Sequence, residues 1–212
     1  MTKTKTILVA CGGHGRVLLD SFLNLGNSVD GIVDKNLEIN SFVFGVPVVG
    51  GDDFLKHLDP KSTQLINGFG YISSISFRKT KYENWVDSGF QVAGIKHRSV
   101  ICGGECDIAK SSQILAGVVL QNRITIGENT VINTSASIDH DCVIGNHTFI
   151  SPGVVLCGGV FVDESAFIGA GAIVLPGVRI GRNSVIGAGS LVNKDVEIGT
   201  VVVGNPIRAL KG

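Results

Sequence analysis

Residues 133 to 142 read Asn-Thr-Ser-Ala-Ser-Ile-Asp-His-Asp-Cys, which sets His140 between Asp139 and Asp141. A histidine beside a carboxylate is the simplest general base, because the acid fixes the tautomer and steadies the imidazolium while the other ring nitrogen takes a proton. Neighbouring side chains point differently, so one of the two acids orients the ring; the competing reading is a solvated turn histidine. Two further stretches, Cys157-Gly158-Gly159 and Gly169-Ala170-Gly171-Ala172, offer backbone amides that could hold an oxyanion or the amide-rich arm of a coenzyme, or could be ordinary corners. Cys142 and Cys157 flank this region. Cys142 falls at an inward position and Cys157 has no base of its own, so a covalent route through a cysteine is not expected.

A second cluster lies near the start of the chain. Gly12-Gly13-His14-Gly15 follows the apolar run of residues 7–11 and precedes an amphipathic stretch at residues 17–25, so free backbone amides should gather at a helix N-terminus, where phosphate binds well. Asp34 comes about 20 residues later, at the tip of the next strand, where such folds hold a ribose or base. The dinucleotide fingerprint needs a third small residue where this chain has Leu18, so a mononucleotide carried on a substrate fits better than NAD. A purely structural turn remains the alternative. His14 favours a ligand contact, since a turn does not need an imidazole.

These residues have to be positioned by two different kinds of chain. From Ile108 to Ile198 every sixth residue is Ile, Leu or Val without interruption. A period of six is neither helix nor plain strand and marks a repeat architecture. It predicts a solenoid with three faces and about eighteen residues per circuit, the aliphatics stacked inside. Residues four places later, such as Ala136, Cys142 and Ala172, would fill the corners. Glycines directly after the aliphatics, such as Gly127, Gly145 and Gly169, would supply the turns. Residues 108–198 make about five coils, roughly 24 Å tall. Residues 1–95 instead alternate strand and helix signals: strands at 7–11, 29–33, 64–67 and 91–95, helices at 17–25, 53–57 and 77–88, and a connector at 47–51. The pattern predicts a small α/β Rossmann-like domain with a parallel sheet, followed by an all-β solenoid domain over residues 96–212.

Composition narrows the function classes. Eighteen basic and eighteen acidic residues cancel, which gives no electrostatic footprint for nucleic acid. Five cysteines, an odd number, read as buried thiols in a reducing compartment, and nothing completes Cys102 and Cys106 as a metal site. The start at residues 1–5 faintly resembles a leader, but the apolar run after it is too short, and no stretch has the roughly 20 apolar residues of a membrane span. A cytoplasmic protein is expected. Zinc hydration chemistry on such a prism needs three histidine ligands, and the hexad region offers only His140 and His147. A non-catalytic scaffold would need neither the ionisable cluster nor the glycine turn.

The unbroken hexads, His140-Asp141, Cys157-Gly158-Gly159 and the closing Val203-Gly-Asn-Pro-Ile-Arg208 together resemble the hexapeptide-repeat acyltransferases with a left-handed parallel β-helix. The opening Ile-Leu-Val-Ala-Cys-Gly-Gly-His-Gly is similar to the subfamily of sialic acid O-acetyltransferases and of N-acetyltransferases acting on nucleotide-linked 4-amino sugars, of the bacillosamine-pathway type. The resemblance implies acetyl-CoA as donor, no metal, a homotrimer with active sites between subunits, and an N-terminal nucleotide-sugar-binding domain. It implies His140 as general base oriented by Asp141, where many relatives carry Glu, and the Gly158 amide on the thioester oxyanion. Gly12, Gly13 and Gly15 would lie near the phosphates, Asp34 near the base, and His14 toward the sugar. Asn133 would lie beside the reacting centre, and Ala170, Gly171, Gly187 and Ala188 would line the coenzyme groove. The expected reaction is N-acetylation of a 4-amino sugar for a bacterial surface glycan, by direct transfer in a ternary complex; O-acetylation of sialic acid is the alternative.

Overall fold

The computed structural model describes residues 4–71 and 75–210 of the chain, side chains included except that of Ile75. Residues 1–3, where the leader-like reading began, lie outside the described residues. The chain divides into two compact units, Met1–Ile95 and Lys96–Gly212.

In the first unit β1 (Lys5–Val9) is buried except at its first residue, as expected of a central strand. It is followed by α1 (Gly13–Asn24), β2 (Gly31–Val33), β3 (Phe42–Val43), β4 (Val46–Gly50), β5 (Thr63–Asn67), α2 (Ile75–Asp87) and β6 (Gln91–Ala93). The sheet order is β3-β4-β2-β1-β5-β6, parallel throughout except for the β3–β4 hairpin. Residues 47–51, read from the sequence as a connector, are therefore mostly strand. Pro47 suggested a break, yet it sits opposite Phe42 in an edge hairpin, where a missing donor is tolerated. Val46, Val48 and Gly50 are buried while Pro47 and Val49 are half-buried, so the period-two signal was present. Phe44 and Gly45 both have positive φ and close that hairpin. The helix expected at 53–57 is a 3-10 segment, Asp52–His57, too short to nucleate an α-helix and without a buried residue. The strand expected to end at Ile95 stops at Ala93, and Ile95–Lys96 forms a separate short strand.

The second unit is the left-handed parallel β-helix. Two-residue strands stack on three faces with an eighteen-residue register, for example Val131 on Phe149, Val119 on Ser137 and Thr125 on Val143. The hexad aliphatics from Ile114 to Val192 are fully buried or nearly so and form one continuous core, joined by the small residues Ala136, Cys142, Ala166 and Ala172. Each buried Ile, Leu or Val contributes on the order of 1.5–3 kcal/mol by leaving water.

Two features depart from the hexad reading. Glycines right after the aliphatics do not make the turns. A Cβ on Gly127, Gly145, Gly169 or Gly181 would come within 2.8 Å of the backbone or an asparagine of the next coil, so these positions are glycine because the coils approach there. The left-handed turn residue falls two places later, at Arg123, Asn129, Ser135, Asp141, His147, Gly153 and onward in steps of six. Ile198, the last match to the period, is 70% exposed. The final circuit is two residues shorter, with Ile180 bridging Val196 and Val185 pairing with Val201, so the buried series ends on Val196 and Val202. After Val201–Val203 the tail returns as the antiparallel strand Arg208–Ala209.

Candidate active site

His140 sits at the corner after the strand Ser137–Ile138, where the αL turn at Asp141 (φ 61°) lifts both side chains off the core. The Nδ1 of His140 lies 2.7 Å from Asp141 Oδ2, so the shorter acid reaches the ring. Asp139 instead accepts the His140 backbone N–H at 2.8 Å, which answers which of the two acids orients the imidazole. Asp141 is held below the usual carboxylate range, first by the His140 hydrogen bond and then by Arg123. An ionised carboxylate only accepts, so Nδ1 must donate and Nε2 keeps its lone pair. Arg123, which the sequence reading did not single out, donates to the same carboxylate from one coil away, Nε to Oδ1 at 2.8 Å. The available signal was the register itself, since Arg123 precedes Asp141 by one eighteen-residue circuit.

Gly158 stacks directly against this ring. An added Cβ would lie 2.6 Å from His140 Cε1 and 2.7 Å from Nε2, so only glycine leaves room for the imidazole. Of the seven candidate amides in the two glycine-rich corners, five are taken by carbonyls: those of Cys157, Gly159, Gly169, Gly171 and Ala172. Among the described residues no acceptor meets the N–H of Gly158 or Ala170. The reason is local. At the matching corners the N–H groups of Thr134, His140 and Glu164 are capped by the preceding side chains Asn133, Asp139 and Asp163. Before Gly158 stands Cys157, which caps nothing. A bare N–H beside a base is the arrangement acyl transfer requires.

Cys142 is fully buried, its thiol pushed up to about 11 chiefly by burial and spent on the Cys157 carbonyl at 3.2 Å. It is no nucleophile at neutral pH. Among the described residues no group of three or more His, Cys, Asp or Glu side chains could hold a metal, and no helix is long and apolar enough to cross a membrane.

The remaining candidates of this unit stand elsewhere. Asn133, Ala170, Gly171, Gly187 and Ala188 belong to the corner between the strand faces of Val131–Ile132 and Ser137–Ile138, whereas His140 and Gly158 belong to the next corner. One whole prism face separates them, so a single chain does not bring them together. Asn133 turns its carbonyl oxygen onto the Thr134 N–H at 2.7 Å. Ala170, Gly171 and Ala188 are exposed; a Cβ on Gly187 would strike Val203.

In the first unit the glycine turn opens α1. Gly12 is its N-cap without any side-chain cap, the first turn carries no acid, and the first intrahelical bond runs from the Arg16 N–H to the Gly12 carbonyl. The helix end faces a groove of about 390 Å³ lined by Cys11, Gly12, Gly13, Arg16, Asp34 and neighbouring residues. Bare amides, the helix dipole and Arg16 would favour an anion there. The glycines differ in kind. Gly15 cannot carry a Cβ, which would fall 2.1 Å from the Ala10 carbonyl oxygen, whereas Gly12 and Gly13 have open space around them. Asp34 lies on the groove rim, its two oxygens accepting the N–H of Cys11 at 2.7 Å and of Asn36 at 2.8 Å. His14 is half-buried in the first turn of α1 beside Gly70.

Comparison with known proteins matches residues 5–85 to the PglD N-terminal domain and residues 123–158 and 159–194 to the bacterial transferase hexapeptide repeats. Perosamine N-acetyltransferase from Caulobacter crescentus, solved as a histidine-to-asparagine mutant in complex with CoA and GDP-perosamine, is 32% identical with a TM-score of 0.89, over 98% of this chain and 97% of that one. The acetyltransferase domain of PglB from Neisseria gonorrhoeae is 27% identical with a TM-score of 0.90, over 98% and 100% of the two chains, and has also been solved with acetyl coenzyme A. WeeI from Acinetobacter baumannii, 22% identical over 98% and 100% with a TM-score of 0.85, shares the fold. No match is found among curated proteins.

Proposed function

Because the chain belongs to the bacterial hexapeptide-repeat transferases with a PglD-type N-terminal domain, and is an acyltransferase, we propose that it transfers an acetyl group from acetyl-CoA to the 4-amino group of a nucleotide-linked amino-deoxy sugar. The observation that carries this reading is His140 seated on Gly158, with Nδ1 tied to Asp141 and an open amide at Gly158. In the reaction His140 Nε2 takes a proton from the sugar amine as its nitrogen attacks the thioester carbonyl. The Gly158 N–H stabilises the oxyanion, and collapse breaks the C–S bond while the imidazolium returns the proton to the departing thiolate. No acyl-enzyme intervenes.

The groove at the α1 N-terminus is assigned the diphosphate of the sugar nucleotide, with Gly12 and Gly13 open so that phosphate can approach the backbone, and Asp34 toward the ribose or base. Asn133 and the corner at Ala170, Gly171, Gly187 and Ala188 are assigned to the neighbouring subunit's reaction. This agrees with a homotrimer, because the face between the two corners presents Ile101, Val119, Val155, Ile173 and Leu191, of which Ile101 is 66% and Ile173 42% exposed. Acetyl-CoA as donor points to the cytoplasm, and the product to a surface glycan. The test is acetyl-CoA turnover, read as free thiol, with UDP-, GDP- and dTDP-linked 4-amino-6-deoxy sugars beside free sialic acid. Turnover with one amino sugar, abolished by His140→Ala, is expected; turnover with sialic acid alone would overturn the reading.

A further inference from the structure

The corner carrying His140 is a ladder of left-handed residues one coil apart, with Glu105, Arg123 and Asp141 at φ 57°, 58° and 61°. The signs alternate along it, and the middle rung turns its guanidinium onto Asp141. Arg123 Nε lies 2.8 Å from Oδ1 and Nη2 lies 3.0 Å from Oδ2, the oxygen that also accepts His140 Nδ1 at 2.7 Å. One carboxylate thus accepts from both partners, and the planar fork fixes its plane. We propose that Arg123 is a positioning residue for the base, holding the Asp141 carboxylate so that His140 keeps one tautomer and one orientation with Nε2 over Gly158. This rests on the reading of His140 as general base.

The geometry explains how an aspartate serves here. Asp141 stands on the rim of the prism, and with its side chain 41% exposed it would sample several rotamers on its own. The fork removes that freedom from outside the His–Asp pair. Arg123 is itself 57% exposed, so the ion pair adds little to folding, and its effect is expected in the reaction. The imidazole is met by Asp141, with Arg123 behind that carboxylate and Glu105 beyond it. Arg123 draws part of the carboxylate's charge away from the imidazolium. Its loss leaves the carboxylate free to turn away from Nδ1.

The experiment is steady-state acetyl transfer with native protein, Arg123→Ala, Arg123→Lys, Asp141→Asn, His140→Ala and the double variant Arg123→Ala/Asp141→Asn, from pH 5.5 to 9, with thermal denaturation alongside. Arg123→Ala is expected to lower kcat about tenfold with the KM for acetyl-CoA within twofold. Tm should stay put. Arg123→Lys, which keeps the charge and loses the fork, should restore only part of kcat. On Asp141→Asn, Arg123→Ala should have no further effect. An unaltered kcat in Arg123→Ala, or an equal loss on top of Asp141→Asn, overturns the positioning role. If His140→Ala is inactive while Arg123→Ala behaves as native, the positioning role alone falls; if His140→Ala turns over normally, the general-base reading falls and takes this role with it.

Discussion

Replacing Gly158 with alanine sets the His140 ring against a single methyl group. The new Cβ would stand 2.6 Å from Cε1 and 2.7 Å from Nε2, where ordinary carbon contacts lie at about 3.5–4.0 Å, so one partner must move by roughly 1 Å. The backbone is poorly placed to yield, since the Gly158 carbonyl accepts from Gly177 at 3.0 Å and Gly159 donates to the His140 carbonyl at 2.8 Å. The ring must swing, and it can do so only by stretching its bond to Asp141. A 1 Å misplacement of a catalytic group costs about 100-fold, or about 2.7 kcal/mol of transition-state stabilisation. Steady-state acetyl transfer at saturating substrates should show that loss in kcat with Tm nearly unchanged, because Gly158 is not in a left-handed conformation. Gly159→Ala is the control. Gly159 has φ 69° and open space, so alanine there should cost about 1–2 kcal/mol of stability and leave kcat within twofold. A Gly158→Ala protein retaining kcat within threefold would refute the stacking of base on amide.

The N-terminal glycines should separate stability from binding. Gly15→Ala drives a Cβ to 2.1 Å from the Ala10 oxygen and should destabilise the first unit by about 3 kcal/mol, seen in denaturant unfolding; Gly13→Ala meets nothing within 4 Å and should raise the KM for the sugar nucleotide at native stability. Cys142→Ala should keep native kcat and lose about 1 kcal/mol with the Sγ hydrogen bond, and rapid-quench kinetics with acetyl-CoA alone should trap no acyl-protein. Asp141 titrates below its unfolded value of about 3.9, so its contribution is complete above that pH and fades as pH falls through the lower folded value. Asp141→Asn should therefore flatten part of the Tm loss below about pH 4 and lower kcat.

What the sequence could reveal followed from the period. Six-residue spacing locates a buried aliphatic at every step from Ile114 to Val192, because an interior ladder leaves the chain no choice of residue class at those positions. The same arithmetic misled at Ile198, where a circuit shortened by two residues turns the matching position outward, and in sequence a deletion of two looks like a small loop. The glycine error had a different origin. Glycine answers two demands, left-handed φ and close approach, and letters alone do not separate them. Gly127 and Gly169 are required by the next coil, while the true left-handed corners accept Arg, Asn, Ser, Asp and His. Those corners are also where chemistry can enter. Most strand positions are claimed by the core or a flat face, whereas the left-handed rung and the residue before it are free to differ and can reach a neighbour one coil away. Asp141 and Arg123 sit on that rung, and His140 lies one residue before. Their pairing was hidden because it spans eighteen residues rather than one or four. It becomes legible once the circuit length is used as a ruler: add eighteen to each charged corner residue and ask what stands there. By that ruler Arg123 reaches Asp141, Asn129 reaches His147, and the open amide of Gly158 lies one circuit above His140.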